Sequence, residues 1–483
     1  MTPPPAHQSL PVPTGTRALS VAALSLGTIA VQFDSAVNIA FPDLVRSFAL
    51  PIPEIQWIVI SYTLTYAALM LVFGRVGDIF GHRAIFLLGA AGSALAFVLC
   101  ALSTTYNWLL AARVLQGVSA ALTLSCGPAL ITSLYAEERR AQVLSIYTLL
   151  IGLGGALGPV IGGFLVDRWG WPSVFVFRAP IALVALAAGL VLPHSKRSTA
   201  REGFDGIGAL LLVLTISMAL LALNQLQRPE RMLITAGLFG AVALLGFAFA
   251  RCEARVRHPI IDVRFFRDAD FALLNIAHTL LNLAGFAIFL LAPFYLDAIG
   301  GLSAPMAGLV LAASPIGLIL AAPIASRIAV AVPPRRMALI GAASSATGLT
   351  LISLLGFLTA ESLSPPAALA VLMLASLLQG FGVGLFQVAY FDIATATLPK
   401  ENRGVAGSLV LMTRTVGLVM GASILMLAFR SLSGDAGQDD KLSLLAGFTG
   451  AFAIAASISF TVVLLALLRG WARGRQPETI AAG

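Results

Sequence analysis

Long apolar segments, separated by short polar turns, run along the whole chain. The hydrophobic positions in these segments do not alternate with a period of two, as the strands of a membrane barrel would require. A segment of about 20 apolar residues is long enough to cross a hydrocarbon core of about 30 Å as a helix. A helix also satisfies its own backbone hydrogen bonds at that depth. The pattern therefore predicts an all-α polytopic membrane protein.

The apolar segments predict fourteen transmembrane helices. They lie near residues 19–42, 55–76, 84–104, 107–134, 141–166, 173–192, 206–226, 231–250, 270–297, 304–327, 336–358, 366–397, 404–430 and 443–469. Residues 1–18, with five prolines, show no basic region joined to a short cleavable core, so we predict a disordered cytoplasmic tail. Residues 471–483 are predicted to form a second cytoplasmic tail.

Composition and charge support a lipid environment and give the orientation. Hydrophobic residues make up 58% of the chain and charged residues only 11%, against about 25% charged in soluble domains. With the N-terminus inside, about 21 of the 30 basic residues fall on the cytoplasmic side and about 7 outside. We therefore interpret the net charge of +8 as a topology signal and predict no nucleic-acid partner.

Few sequence features point to cofactor chemistry. Cys100, Cys126 and Cys252 have no CxxC spacing and are expected to be core thiols. The chain contains no GxxxxGK[ST] loop, HExxH pair or GxSxG elbow. We therefore predict no metal and no cofactor, and we expect that ATP is not the driving force.

One polar stretch, GRVGDIFGHR at residues 74–83, is rich in charge and glycine. Gly81 allows a sharp turn between antiparallel spans, and Gly74 and Gly77 allow a neighbouring helix to come close. Asp78 and Arg83 are expected to find partners on the cytoplasmic face. The residues alone fit a charged turn with a purely topological role equally well.

That stretch resembles the signature loop of the major facilitator superfamily through Gly74, Asp78, Gly81 and Arg83. Other segments are similar to motifs of its fourteen-helix drug:proton antiporter family. They are FDSAVNIAFPDL with Asp34 and Asn38, QWIVISYTL with Trp57 and Tyr62, RVLQGVSAA with Arg113 and Gln116, GGALGPVIGG with Gly154, Gly158, Pro159, Gly162 and Gly163, and KENRGVAGSLVLMTR at residues 400–414.

The resemblance implies a major facilitator fold. Its two six-helix bundles would occupy residues 19–192 and 269–470, and residues 193–268 would hold basic connectors and two inserted helices. It also implies that residues 74–83 form a cytoplasmic gate loop in which Asp78 pairs with the other bundle. The glycine-rich motif of the fifth span would close a bundle interface, or serve as ordinary helix packing. WPSVFVFRAP departs from the family pattern, with Pro172, Ser173 and Arg178 where Arg, Trp and Asn are usual.

Ionisable residues within spans are costly and usually functional. Asp34 and Arg113 lie at similar depths in antiparallel spans and are predicted to pair. Asn38 and Gln116 share their helix faces, so both stripes are expected to line one cavity. Asp34 would carry the coupled proton; a purely structural salt bridge is the alternative. Asp392 lies near the inner end of its span, where a gate contact is favoured.

The second half carries its own polar stripe. Asn275, His278 and Asn282 recur at i, i+3 and i+7 on the ninth span. His278 is expected near mid-depth, where a histidine is a candidate proton carrier, although a hydrogen-bonded core histidine fits as well. Arg414 lies within the thirteenth span and is assigned to the same cavity.

Together these features predict a secondary active transporter that couples proton entry to efflux of small amphipathic or drug-like molecules by alternating access. We expect a monomer in the cell (inner) membrane, with both termini cytoplasmic and with a small molecule, protons and lipid as its partners. One alternative is a proton-coupled carrier of an endogenous metabolite or organic anion, because Arg113, Arg414 and His278 make the cavity net basic. A membrane-embedded enzyme or channel is less well supported, since no catalytic motif or selectivity-filter loop is present.

Overall fold

A computed structural model of the chain describes residues 14–135, 137–192, 206–225, 232–253, 255–256, 265–266, 268–298, 301–329, 331–357, 365–397, 403–434 and 441–471. The first part of the predicted N-terminal tail, much of the predicted connectors and residues 472–483 lie outside these ranges. The side chain of Asp78 is also outside the described part of the chain.

Every regular element of the described residues is helical, which confirms the all-α prediction for them. The α-helices are α1 (Thr14–Gln32), α2 (Phe41–Ser47), α3 (Gln56–Phe80), α4 (His82–Ala101), α5 (Tyr106–Ser133), α6 (Glu137–Trp169), α7 (Ser173–Val176), α8 (Arg178–Gly189), α9 (Gly206–Gln225), α10 (Met232–Glu253), α11 (Ala269–Ala298), α12 (Ala304–Ile328), α13 (Pro334–Phe357), α14 (Pro365–Thr397), α15 (Arg403–Ser433) and α16 (Lys441–Leu468). Two 3₁₀ helices, Phe33–Ala40 and Ile52–Ile55, complete the set.

Ten helical segments in the described ranges are long and apolar enough to cross a membrane. The chain is therefore a multi-pass membrane protein. The four remaining predicted spans also contain helices, namely α3, α6, α7 with α8, and α9. The first span is divided by the 3₁₀ segment Phe33–Ala40, and the sixth is divided between α7 and α8.

The helices form two packed groups. Helices α1 to α8 pack with one another, as do α11 to α16, while α9 packs mainly against α10. The two groups, here named the N-half and the C-half, meet through α6 with α12 and α3 with α15. Helix α9 also contacts α3 and α15, so the inserted pair lies beside one of these two seams.

The halves differ in how they pack at their two ends, named here the Arg46 end and the Arg83 end after the residues that lie there. At the Arg46 end, one continuous buried core contains residues of both halves. Phe41 of α2 stacks on Phe294 of α11, with ring centroids 6.4 Å apart. Arg46 bridges the halves through Asp297 at 2.7 Å and also binds Asp43 at 2.6 Å.

The Arg83 end is organised differently. Its buried residues in the described ranges fall into two separate cores, one in each half. In the C-half, Arg335 at the start of α13 pairs with Asp270 at the start of α11 at 2.8 Å. This ion pair lies within one half and does not bridge the two. The halves are thus joined by a common core at the Arg46 end alone among the described residues.

Candidate functional site

The first span changes from α to 3₁₀ geometry at the level of its acidic residue. Pro42 has no backbone N–H, so it cannot donate to the Asn38 carbonyl as an α-helix would require. The Phe41 N–H donates to the Asn38 carbonyl instead, and this bond to the residue three positions earlier is the 3₁₀ pattern. The resulting segment Phe33–Ala40 carries Asp34 in its first turn. The position of Asp34 therefore depends on a local backbone geometry that the sequence itself sets.

Asp34 and Arg113 form a two-point ion pair. Arg113 donates from Nη1 to Asp34 Oδ1 at 2.5 Å and from Nη2 to Oδ2 at 2.9 Å. Gln116 donates from Nε2 to the same Oδ1 at 2.9 Å and accepts from Arg113 Nη1 at 2.8 Å. The Arg113 Nε donates to the Ile58 carbonyl of α3 at 3.0 Å. The structure therefore brings three of the predicted residues into one hydrogen-bonded cluster.

Arg178 is a fourth member of that cluster, which its position in the sequence did not predict. Its Nη1 donates to Asp34 Oδ1 at 3.0 Å, while Nε and Nη2 donate to the carbonyls of Ala30 and Val31 at 2.9 and 3.2 Å. These carbonyls lie near the end of α1, where the helix changes to 3₁₀. The signal in the sequence was the family departure in WPSVFVFRAP, in which Arg178 replaces an asparagine.

Burial makes the charge balance of the cluster important. The Arg113 and Arg178 side chains are 1% and 0% exposed, whereas that of Asp34 is 18% exposed. The guanidinium groups also lie over aromatic rings, Arg113 over Tyr62 at 4.4 Å and Arg178 over Phe97 at 4.2 Å. Two guanidinium groups facing one carboxylate leave the cluster with one excess positive charge.

A stacked tyrosine pair connects the cluster to the C-half. Tyr62 and Tyr66 lie on α3 with ring centroids 6.0 Å apart and an interplanar angle of 20°. Tyr66 hydrogen-bonds to Thr415 of α15 and lies within electrostatic range of Arg414. Arg414 is half-buried on α15. The seam between α3 and α15 thus carries one guanidinium at each end of an aromatic pair.

The polar stripe of the ninth span lies in the C-half core. Asn275, His278 and Asn282 are all buried. His278 Nδ1 bonds to Thr413 of α15 at 2.7 Å, and its ring lies against Phe386 and Tyr390 of α14. The Nε2 of His278 has no hydrogen-bond partner among the described residues.

The two asparagines of that stripe bond within the same half. Asn275 accepts from the Tyr390 hydroxyl at 2.7 Å and donates to the Phe271 carbonyl, and Asn282 donates to the His278 carbonyl. Their side chains therefore pack inside the C-half and do not join the Asp34 cluster. Asn38 is half-buried, and Asp392 is exposed. The ion pairs of the described side chains do not include one between Asp392 and Arg414.

Internal repeats explain why His278 and Asp34 lie apart. Pro42 in the first span corresponds to Pro293 in the ninth, because Arg46 and Asp297 each lie four residues beyond their proline and pair across the halves. This register places Gly285 at the position equivalent to Asp34. The contacts agree with this register, since the Gln379 amide of α14 lies against Gly285 as the Gln116 amide of α5 lies against Asp34. His278 therefore occupies a level nearer the Arg83 end.

The contacts described for the gate loop lie within the N-half. Gly81 forms the α3–α4 turn with a φ of 97°, which a side chain rarely adopts. Arg83 donates to the Leu190 carbonyl, just beyond the end of α8, at 2.7 Å. An added Cβ at Gly77 would lie 3.1 Å from the Cys126 sulfur of α5, as the expected close helix approach requires. One at Gly74 would meet no described atom within 4 Å, so the described contacts do not show a close approach there. The predicted pairing of Asp78 lies outside the described side chains.

The glycine-rich motif of α6 has two packing faces. Gly154, Gly158 and Gly162 lie against the stretch from Gln32 to Ala36 of the first span. On the other face, a Cβ at Gly163 would collide with the Ala304 carbonyl of α12, and one at Gly308 with the Pro159 carbonyl of α6. The motif therefore lets α6 approach both the Asp34 segment and the opposite half at backbone distance.

No group of three His, Cys, Asp or Glu side chains in the described ranges could hold a metal ion. Comparison with known proteins gives the family. The sequence model of the Major Facilitator Superfamily matches residues 24–251 and 274–482. The chain belongs to the major facilitator superfamily. It is accordingly a membrane transporter.

Relatives within the superfamily include export and resistance proteins. The tetracenomycin C resistance and export protein of Streptomyces glaucescens is 30% identical over 423 residues, which cover 86% of this chain and 77% of that protein. The methylenomycin A resistance protein of Bacillus subtilis (strain 168) is 30% identical, covering 85% and 87%. The riboflavin transporter RibZ of Clostridioides difficile (strain 630) is 28% identical, covering 80% and 83%.

Solved structures show the same fold. A POT family transporter in complex with 5-aminolevulinic acid aligns with a TM-score of 0.70 and 16% identity, covering 96% of this chain and 97% of that chain. A D-xylose-proton symporter aligns with a TM-score of 0.66 and 15% identity, covering 96% and 99%. The likeness supports the arrangement of two helical halves.

Proposed function

We propose that the protein is a proton-coupled exporter of small amphipathic or drug-like molecules that works by alternating access. In this proposal it belongs to the fourteen-helix drug:proton antiporter family and spans the cell (inner) membrane fourteen times. The Arg83 end faces the cytoplasm, together with both termini, as the distribution of basic residues favours. The common core at the Arg46 end then represents a conformation closed to the outside and ready to open inward.

The observation that carries this proposal is the partly exposed carboxylate of Asp34 within a buried ionic cluster. Arg113 and Gln116 hold both of its oxygens, so protonation of Asp34 would weaken its contacts with Arg113. Binding of one species that releases Arg113 would oppose binding of the other. Mutual exclusion of proton and substrate is the minimum requirement for exchange.

The energetics of proton entry are adequate for export. One charge moving down the membrane potential releases about 2.3 kcal/mol per 100 mV. The names of two relatives, which specify resistance to tetracenomycin C and methylenomycin A, support outward transport of organic small molecules. Contacts between the halves would form at the gate loop when those at the Arg46 end are broken. Asp78 would then contact the C-half while the transporter is open to the outside. The proposed transporting unit is a single chain.

A second candidate is a proton-coupled carrier of an endogenous metabolite or organic anion. It is favoured by the excess positive charge of the Asp34 cluster, to which Arg178 contributes. The riboflavin transporter among the relatives shows that drug resistance is not the only activity in this group of proteins. The two candidates share the fold and the coupling cluster and differ in substrate.

The test is exchange in proteoliposomes under an imposed pH gradient. The wild-type chain should move an amphipathic dye against its gradient while protons flow the opposite way. Asp34→Asn should abolish the pH-driven component, and Asp34→Glu, which retains a titratable group, should keep part of it. Asp167→Asn makes the same chemical change at an exposed site on α6 and serves as the control. Pumping by Asp34→Asn at an unchanged proton ratio would show that Asp34 is structural.

A further inference from the structure

Arg414 is a half-buried cation within a membrane-spanning helix. It lies about 16 Å along α15 from Arg403. None of the carboxylates in the described ranges forms an ion pair with it. Holding that charge without a counter-charge is costly, so the position favours an anion supplied from outside the protein.

Two aromatic side chains of the described residues, Tyr66 of α3 and the buried His278 of α11, lie within electrostatic range of Arg414. Thr415, the next residue of α15, hydrogen-bonds to Tyr66. An anion that reaches Arg414 would therefore lie against the Tyr66 ring, at the seam between the two halves.

The excess positive charge of the Asp34 cluster also favours an anionic ligand. Tyr66 stacks on Tyr62, and the face of Tyr62 is covered by the Arg113 guanidinium. Arg113 and Arg178 lie within electrostatic range of Tyr62, and Arg414 lies within range of Tyr66. Among the described carboxylates, only Asp34 forms ion pairs with any of these three guanidinium groups, and it pairs with Arg113 and Arg178. A cationic amphiphile would meet repulsion at both ends of the tyrosine pair, whereas an anionic one would be attracted.

We propose that this seam binds a planar aromatic anion, with its acidic group on Arg414 and its ring against Tyr66. The proposal rests on the proposed transport function and names the substrate class that the same transporter would carry. Arg414 acts as the anchor because a guanidinium presents paired donors to a carboxylate or phenolate. Tyr66 supplies a flat surface suited to a conjugated ring.

The experiment compares two dyes that share a xanthene ring system and differ in charge. Binding of 5-carboxyfluorescein, an anion, and rhodamine 123, a cation, is measured by fluorescence anisotropy with the full-length chain in nanodiscs. The wild-type chain should bind the anion at least tenfold more tightly. Arg414→Gln should weaken anion binding at least tenfold and leave rhodamine 123 binding unchanged or tighter. Arg414→Lys should retain part of the anion binding.

Further variants separate charge, ring and folding. Tyr66→Phe should bind 5-carboxyfluorescein nearly as the wild type does, because the ring is kept, whereas Tyr66→Ala should bind it several-fold more weakly. Arg430→Gln removes an exposed arginine from the far end of the same helix and should have no effect on dye binding. Melting temperatures close to that of the wild type show that a variant has folded.

The outcomes distinguish this proposal from the transport proposal. Wild-type binding without preference for the anion, or anion binding unaffected by Arg414→Gln and Arg414→Lys, overturns the aromatic-anion site. Proton-driven export of rhodamine 123 by the same preparation would leave the exporter proposal standing. Anion binding that depends on Arg414, with dye flux that ignores the pH gradient, supports the site and contradicts proton coupling.

Discussion

The buried charge cluster makes a sharp prediction about stability. Asp34 balances one of the two guanidinium groups that contact it, and both guanidiniums are almost fully buried. Asp34→Asn keeps the side-chain volume nearly constant but removes the only negative charge of the cluster. Arg113 and Arg178 would then remain buried without a counter-charge. We expect this variant to be much less stable than the wild type.

The magnitude follows from the geometry. Charges about 4 Å apart interact by about 4 kcal/mol at an effective dielectric constant of about 20. Breaking a buried ion pair by removing one partner costs about 3–5 kcal/mol, because it leaves an uncompensated charge. Asp34→Asn should therefore lower the free energy of unfolding by about that amount. Adding Arg178→Gln should recover about 1–3 kcal/mol, since it restores the original net charge.

The assay is a double-mutant cycle on unfolding of the purified protein in mixed micelles. The four chains are the wild type, Asp34→Asn, Arg178→Gln and the double variant. Asp167→Asn provides the matched control for an Asp-to-Asn change at an exposed position. If Asp34→Asn unfolds like that control, or if the double variant is no more stable than Asp34→Asn, the buried-charge reasoning is refuted.

Two further predictions concern the contacts between the halves. Asp297→Asn removes an ion pair whose side chains are 54% and 38% exposed; such pairs contribute about 0.2–1 kcal/mol. The fraction of molecules open at the Arg46 end should then rise by up to about fivefold. It is measured as the labelling rate of a cysteine placed at buried Ala40, in a chain without its native cysteines. An unchanged labelling rate would exclude a gating role for this ion pair. Gly308→Ala places a Cβ against the α6 backbone and should reduce both stability and transport. Gly155→Ala, in open space on α6, should be neutral, and equal effects would contradict the close-packing explanation.

The sequence predicted well those features that depend on local hydrophobicity and on charge depth. Apolar length alone located the helices, since each span must satisfy its backbone inside the membrane. The pairing of Asp34 with Arg113 could be anticipated because a charge in a span needs a partner at the same depth. The contact of Arg178 with Asp34 could not be predicted in this way. The sixth span divides between α7 and α8, and the depth and direction of the Arg178 side chain depend on that break.

The C-half stripe shows the limit of periodicity. Spacing correctly predicts that Asn275, His278 and Asn282 share one face of α11, but it does not identify the helices against which that face packs. In the structure the stripe lies against α14 and α15, where the Tyr390 hydroxyl donates to Asn275 and Thr413 bonds to His278. A repeat alignment anchored on Pro42 and Pro293 would have given Gly285 as the counterpart of Asp34. That anchor was visible in the sequence.

The 3₁₀ segment Phe33–Ala40 links the ionic cluster to the Arg46 end through the backbone itself. A 3₁₀ helix rises about 2.0 Å and turns about 120° per residue, compared with about 1.5 Å and 100° in an α-helix. Over its eight residues, conversion to α geometry would shorten the span by about 4 Å and rotate one end against the other by about 160°. Phe41 and Arg46 lie just beyond that segment, and Asp34 lies at its beginning. A change in the hydrogen bonds of a single carboxylate is therefore connected, by one stretch of backbone, to the contacts that hold the two halves together.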